Sequence, residues 1–235
     1  MKHRFHLDVP YVSGELVTLK GDELHHAVRV VRAREGEAIE LFDGRGNGAT
    51  AIIETLDRDS LGARITGLVT SRESPLAIEL AMSIINLEKF ELVLQKATEL
   101  GIRSIVPLVT DRIEIRMERW RGKMERWEKI IFEAVKQSGR SVVPRLEAAV
   151  EFDAAITRDA LRIVYDADVE PSAPPMKIEA ATLFIGPEGG FSERELLLAR
   201  ENGATFARLG PRRLRAETAA IVACTTVYAG FGDLH

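Results

Sequence analysis

Two stretches near the C-terminus place glycines where a ligand would need close approach to backbone. The first, Leu183–Glu195, reads LFIGPEGGFSERE. It sets an apolar strand-like run against a turn over Gly186–Gly190 and a helix start carrying the Ser192/Glu195 capping-box spacing. Missing side chains at Gly186, Gly189 and Gly190 leave N–H and C=O groups open to a ligand edge. The second stretch, Leu209–Glu217, reads LGPRRLRAE and again separates a short strand from a helix. Neither is a phosphate loop, because no GK[ST] occurs in the chain and no acidic pair marks a magnesium site. By itself the first loop reads equally well as a helix cap that binds nothing. Two such loops at the carboxyl ends of strands suit one crevice of an open α/β sheet. The chemistry they favour is a small ligand held through backbone amides, with arginines beside it.

Other candidate sites have plainer readings. Asp43–Gly48 (DGRGNG) resembles a nucleotide loop, but β-branched ATAIIETL follows it instead of a helix, so a hairpin turn is predicted. His25 and His26 are adjacent and would face different sides of a helix, so no metal site is predicted. Trp120 and Trp127 suit a packed helix face better than base stacking. Cys224, in AAIVACTTVYA, reads as a small buried apolar residue.

These loops need elements to position them. The first part of the chain reads as short strands at 15–19, 38–42, 49–56 and 63–70, with one helix over 22–32 capped by Asp22. That pattern predicts a small barrel or sandwich. After the linker SRESP the rhythm changes to strands at 77–84, 102–109, 161–165, 181–185 and 205–208. They alternate with helices at 87–100 (capped by Asn86), 118–137, 152–159, 193–202 and 217–229, which predicts an α/β domain with a mainly parallel sheet. Two domains follow, 1–73 and 74–235. The formal charge of −4 hides a basic stretch, eleven Lys and Arg against six Asp and Glu between Arg103 and Arg145. A single cysteine excludes an intramolecular disulfide. With no signal-peptide pattern and no apolar run approaching ~20 residues, a cytoplasmic protein off the membrane is expected.

IGPEGGFSERE followed by LGPRRLRAETA resembles the signature of the RsmE family of SPOUT-class RNA methyltransferases. KFELVLQKATELGI (Lys89–Ile102), VPLVTDR (Val106–Arg112) and KQSGR (Lys136–Arg140) are similar to that family's blocks in the same order. RFHL (Arg4–Leu7) and His25–Gly44 resemble its PUA-like β-barrel. Ala216 stands where the family usually has threonine, a departure that leaves Arg215, Glu217 and Thr218 intact.

The resemblance implies an N-terminal PUA-like β-barrel, then a SPOUT α/β domain with a C-terminal trefoil knot. It also implies a homodimer and S-adenosylmethionine as cofactor. The activity it implies is methylation of N3 of one uridine in the decoding region of 16S ribosomal RNA, on the small ribosomal subunit. Carried over by residue, Ile185, Gly186, Pro187, Glu188, Gly189 and Gly190 form one half of the cofactor site. Leu209, Gly210, Arg212, Leu214 and Thr218 form the other. Arg215 is assigned to stabilising charge on the uracil, against an ion pair or a phosphate contact. Glu217 accepts a proton or caps its helix, and Glu188 orients a ligand or restrains its loop. Arg4, Arg32, Arg112 and Arg140 are the RNA-binding candidates, with salt bridges or a solvated face as the alternative. A relative with a different RNA target, or a non-catalytic RNA-binding assembly factor, would share the same fold.

Overall fold

The computed structural model describes residues 3–173 and 175–234. The chain divides into two compact units, one reaching to Glu73 and including Val135–Val143, the other made of Ser74–Ala134 and the residues from Pro144 onward. The return over Val135–Val143 is announced by no change of composition. Its cause is the Glu73 carboxylate, which accepts from Arg140 Nε (3.0 Å) and Nη2 (2.7 Å) and from the N–H groups of Ser141 and Val142.

In the first unit five strands form one sheet: β1 (His3–His6), β2 (Leu16–Leu19), β3 (Ala38–Phe42), β4 (Gly48–Leu56) and β5 (Leu61–Val69), in the order β1-β3-β4-β5-β2. β1 runs parallel to β3 and the other pairs are antiparallel. Edge strands β1 and β2 do not pair with each other among the described residues, so the expected PUA-like barrel takes the form of a curled sheet open at that seam. Phe5, Leu19, Ile39, Leu41, Ile53 and Leu61 are buried on its inner side. The DGRGNG segment is a hairpin loop between β3 and β4. Asp43 Oδ1 organises it by accepting from the N–H groups of Arg45 and Asn47.

The helix expected over 22–32 forms differently. α1 covers only Gly21–His25, with Lys20 rather than Asp22 in the cap position, and a π-helical turn follows over His26–Val31. Leu24 and Ala27 are its buried residues, and the valines at 28, 30 and 31 are weak helix formers. The turn ends at Arg32 in the left-handed region, φ 56.

The second unit carries a parallel sheet of β6 (Ala77–Ser83), β7 (Ser104–Val109), β8 (Arg145–Leu146), β9 (Val150–Glu151), β10 (Arg162–Tyr165), β11 (Ala180–Ile185) and β12 (Thr205–Ala207). The order is β12-β10-β11-β6-β7, with β8 and β9 both beside β7. Tyr165 is level with Ile185 and Ala207, and Ile185 with Met82, so the loops that follow emerge side by side. Helix α2 (Leu87–Leu100) starts at Asn86, whose side chain accepts from Glu88 N–H, and stops at Gly101. Its buried Phe90, Val93, Leu94 and Ala97 recur at helical spacing. The helix expected over 118–137 is broken into α3 (Met117–Trp120) and α4 (Met124–Ser138). Gly122 lies in the break, where a helical glycine would cost about 1 kcal/mol relative to alanine. Trp127 is wholly buried and packs on Phe90 with ring centroids 4.8 Å apart, so it offers no face to a base. The remaining helices are α5 (Phe152–Ile156), α6 (Glu193–Glu201) and α7 (Ala216–Phe231). Cys224 on α7 is fully buried, and burial pushes its thiol up to about 12. No helix of the described residues is long and apolar enough to cross a membrane.

Candidate active site

The carboxyl ends of β10, β11 and β12 open into a cavity of about 540 Å³. Small-molecule sites typically span roughly 300–1,000 Å³. Three loops line it: Tyr165–Asp168 after β10, Ile185–Phe191 after β11, and Leu209–Ala216 after β12. Arg112, from the segment after β7, joins them.

The loop after β11 is shaped by its own backbone. A Cβ at Gly186 would stand 3.2 Å from Gly190 C and Phe191 N, tighter than ordinary contact, and Gly190 has φ +68, so both positions favour glycine. Ser192 then starts α6 with the full capping box, its side chain accepting from Glu195 N–H while Glu195 accepts from Ser192 N–H. Glu195 is fully buried because its other oxygen accepts from Asp111 N–H at 3.0 Å. Arg194 grips the Asp111 carboxylate with two donors, and that contact, with the Ser192 hydroxyl, holds the Asp111 carboxyl below its ordinary range. The loop is thus fastened to the segment after β7, and Arg112 completes the fastening by donating to Gly189 O at 2.8 Å.

Charge around the cavity is mixed. Arg112, Arg212, Arg213 and Arg215 face Asp166, Asp168, Glu188 and Glu193. Arg213, on the loop after β12, pairs with Asp168, on the loop after β10, at 2.6 Å, while Arg212 and Arg215 have no ion-pair partner among the described residues. Burial pushes the Tyr165 hydroxyl up to about 12.

Ten of the expected cofactor residues line this cavity together: Ile185, Gly186, Pro187, Glu188, Gly189, Gly190, Leu209, Gly210, Arg212 and Leu214. Thr218 does not; it is exposed on α7. Arg215 lines the cavity as the N-cap residue of α7. Glu217 lies outside the lining, with Oε1 3.6 Å from Lys89 Nζ and Oε2 enclosed without a hydrogen-bond partner among the described residues. It therefore reaches an ammonium, not the cavity.

The RNA-binding candidates separate. Arg32 is exposed on the first unit, and Arg112 belongs to the cavity wall. Arg4 is turned inward, its side chain 9% exposed, pairing with Glu40 and donating to Val135 O. Arg140, 5% exposed, is held by Glu73. Both guanidiniums are occupied by acceptors inside the first unit. Sequence reasoning missed Asp166, Asp168 and Lys89. For the two aspartates a signal was present, because they directly follow a strand that ends beside the glycine loop. Among the described residues no group of three or more His, Cys, Asp or Glu is placed to hold a metal.

Glycine loops at the carboxyl ends of a parallel sheet suit a small-molecule site, and the matching family models give the class, an RNA methyltransferase with a PUA domain. The models of those families, an RNA methyltransferase domain and an RNA methyltransferase PUA domain, match residues 72–228 and 19–66. The chain belongs to the RsmE family, that of ribosomal RNA small subunit methyltransferase E. It is 29% identical to the enzyme of that name from Bacillus subtilis over 89% of this chain and 88% of the relative. The Neisseria gonorrhoeae ribosomal RNA small subunit methyltransferase E, solved bound to S-adenosylmethionine, is 31% identical with a TM-score of 0.91, covering 100% of both chains. A Legionella pneumophila protein solved with the same cofactor is 35% identical, TM-score 0.89, again over 100% of both chains.

Proposed function

We propose that this chain uses S-adenosylmethionine to methylate N3 of a uridine in the decoding region of 16S ribosomal RNA. The observation that carries this reading is the cavity after β10, β11 and β12, where two glycine-bearing loops present backbone to one ligand-sized space. Its residues fit the cofactor: Gly186 and Gly190 allow the tight turn, and the lining combines apolar Ile185, Leu209 and Leu214 with backbone polar groups. S-adenosylmethionine supplies a methyl group on a sulfonium that carries its own leaving group. Gly186–Gly190 and Leu209–Leu214 hold it, and Asp166 and Glu188 offer carboxylates to a ligand of positive charge.

Uracil N3 is a poor nucleophile until its proton passes to water or to a carboxylate of the cavity, and negative charge then develops on the flanking carbonyl oxygens. Arg215, at the cavity edge and free of an ion-pair partner among the described residues, supplies a positive charge there. Base pairing hides N3, so the target base enters unpaired or extruded. Exposed Arg32 on the first unit, and the basic stretch that includes exposed Arg116, Arg119 and Arg121, bind phosphates and position the RNA. The first unit does no chemistry in this reading. The family resemblance further supports a trefoil knot around the two loops, a homodimer and a cytoplasmic site of action.

Mass spectrometry of 16S rRNA from cells with and without this gene tests the reading. Loss of one N3-methyluridine from the decoding region on deletion, restored by the intact gene, is expected. An unchanged set of modified uridines would refute the assignment.

A further inference from the structure

We infer that Lys89 is a positioning residue that ties the two cofactor loops together, an inference that rests on the reading of the cavity given above. Lys89 Nζ lies 3.9 Å from Glu188 Oε1 and 3.6 Å from Glu217 Oε1. Glu188 belongs to the loop after β11, and Glu217 to the first turn of α7, directly after the loop that follows β12. One ammonium from a third element, α2, therefore stands between both.

Its position argues for that task. Lys89 is the third residue of α2, where a cation opposes the helix dipole, so local helix energetics do not explain it. Both distances exceed hydrogen-bond length, which makes the contact one of charge, shared between two partners. Glu217 depends on it most. Its side chain is only 14% exposed, and Oε2 is enclosed with no hydrogen-bond donor among the described residues. Without the ammonium, a largely buried carboxylate would have lost its compensating charge. Glu188 itself lines the cavity, and Arg215 lies two residues before Glu217. Lys89 thus holds the wall that receives the cofactor in register with the helix start that presents Arg215. It touches neither the cavity nor the reacting atoms.

The test uses the full chain with Lys89→Met, Lys89→Arg, Glu217→Gln and the Lys89→Met/Glu217→Gln pair. In protein without ligand, Lys89→Met should speed amide hydrogen exchange over residues 186–191 and 215–219 together. It should weaken S-adenosylmethionine binding at least fivefold. At saturating RNA and cofactor it should slow single-turnover methylation at least tenfold. Lys89→Arg should recover most of each loss. Adding Glu217→Gln to Lys89→Met should recover part, because the uncompensated carboxylate is gone. Unchanged exchange in either loop, losses in the double variant that simply multiply, or an arginine variant as damaged as the methionine one would overturn the proposal. If the wild-type chain bound no S-adenosylmethionine, the reading of the cavity would fail. The exchange experiment would still decide whether Lys89 joins the loops.

Discussion

The Arg112 guanidinium donates to the carbonyl oxygen of Gly189 over 2.8 Å, so a side chain expected to meet RNA braces the middle of the glycine loop. A hydrogen bond from a charged donor contributes about 1.5–3 kcal/mol. At this exposed site the lower end applies, so Arg112→Ala should weaken cofactor binding roughly tenfold. Calorimetry in the absence of RNA measures this. Intact cofactor affinity with weaker RNA binding and a shallower salt dependence would return Arg112 to the RNA interface.

The glycines of that loop should not be equivalent. Alanine at Gly186 meets the loop's own backbone at 3.2 Å, and a side chain at Gly190 is strained at φ +68, by ~1–2 kcal/mol. A Cβ at Gly189 would rest 3.5 Å from Arg112 Cδ, an ordinary contact. Gly186→Ala and Gly190→Val should therefore lose cofactor binding sharply, while Gly189→Ala stays near wild type. Equal affinities for all three variants in calorimetry would show that backbone shape does not govern the site.

Arg215 is tested by separating chemistry from binding. If it stabilises charge developing on the uracil, Arg215→Ala should cost ~3–4 kcal/mol in the chemical step, a factor of roughly 10²–10³. Single-turnover kinetics at saturating RNA and cofactor should show that fall, with RNA affinity little changed. A near-normal rate with weakened RNA binding would make it a phosphate contact.

The Glu73–Arg140 pair should govern acid stability of the first unit. Burial raises the Glu73 carboxyl, but Arg140 and the N–H groups of Val142 and Ser141 outweigh it and hold the group below its ordinary range. Its folded value being depressed, its stabilisation is complete above the unfolded value of ~4.3 and disappears as pH falls through the folded value. Glu73→Gln breaks a buried pair, which typically costs about 3–5 kcal/mol. Denaturant melts from pH 7 down to pH 3 should show a less stable variant whose stability falls less in acid. Parallel curves for the two proteins would reject this role.

Much of the site was legible because its determinants are local. A turn that favours glycine at 186 and 190, a capping box at Ser192 and Glu195, and an asparagine cap at Asn86 each act within a few residues. The alternation of strand and helix after residue 75 is local in the same way, and so is the hairpin at Asp43. One misreading also had a local cause. The segment 118–137 has helical composition, yet its continuity breaks at Gly122 between two buried tryptophans.

By itself the sequence determined the two glycine loops, their strand-to-helix settings and the parallel α/β class, since periodicity and turn chemistry depend on neighbours in the chain. Only the tertiary structure decided which charged groups serve the cavity. Arg4, Arg32, Arg112 and Arg140 look alike in one dimension, but partners up to 132 residues away turn Arg4 inward. Glu73 buries Arg140, and Gly189 draws Arg112 to the cavity wall. Lys89 became visible in the same way, because an ion pair is set by distance in space and leaves no period or spacing in the chain.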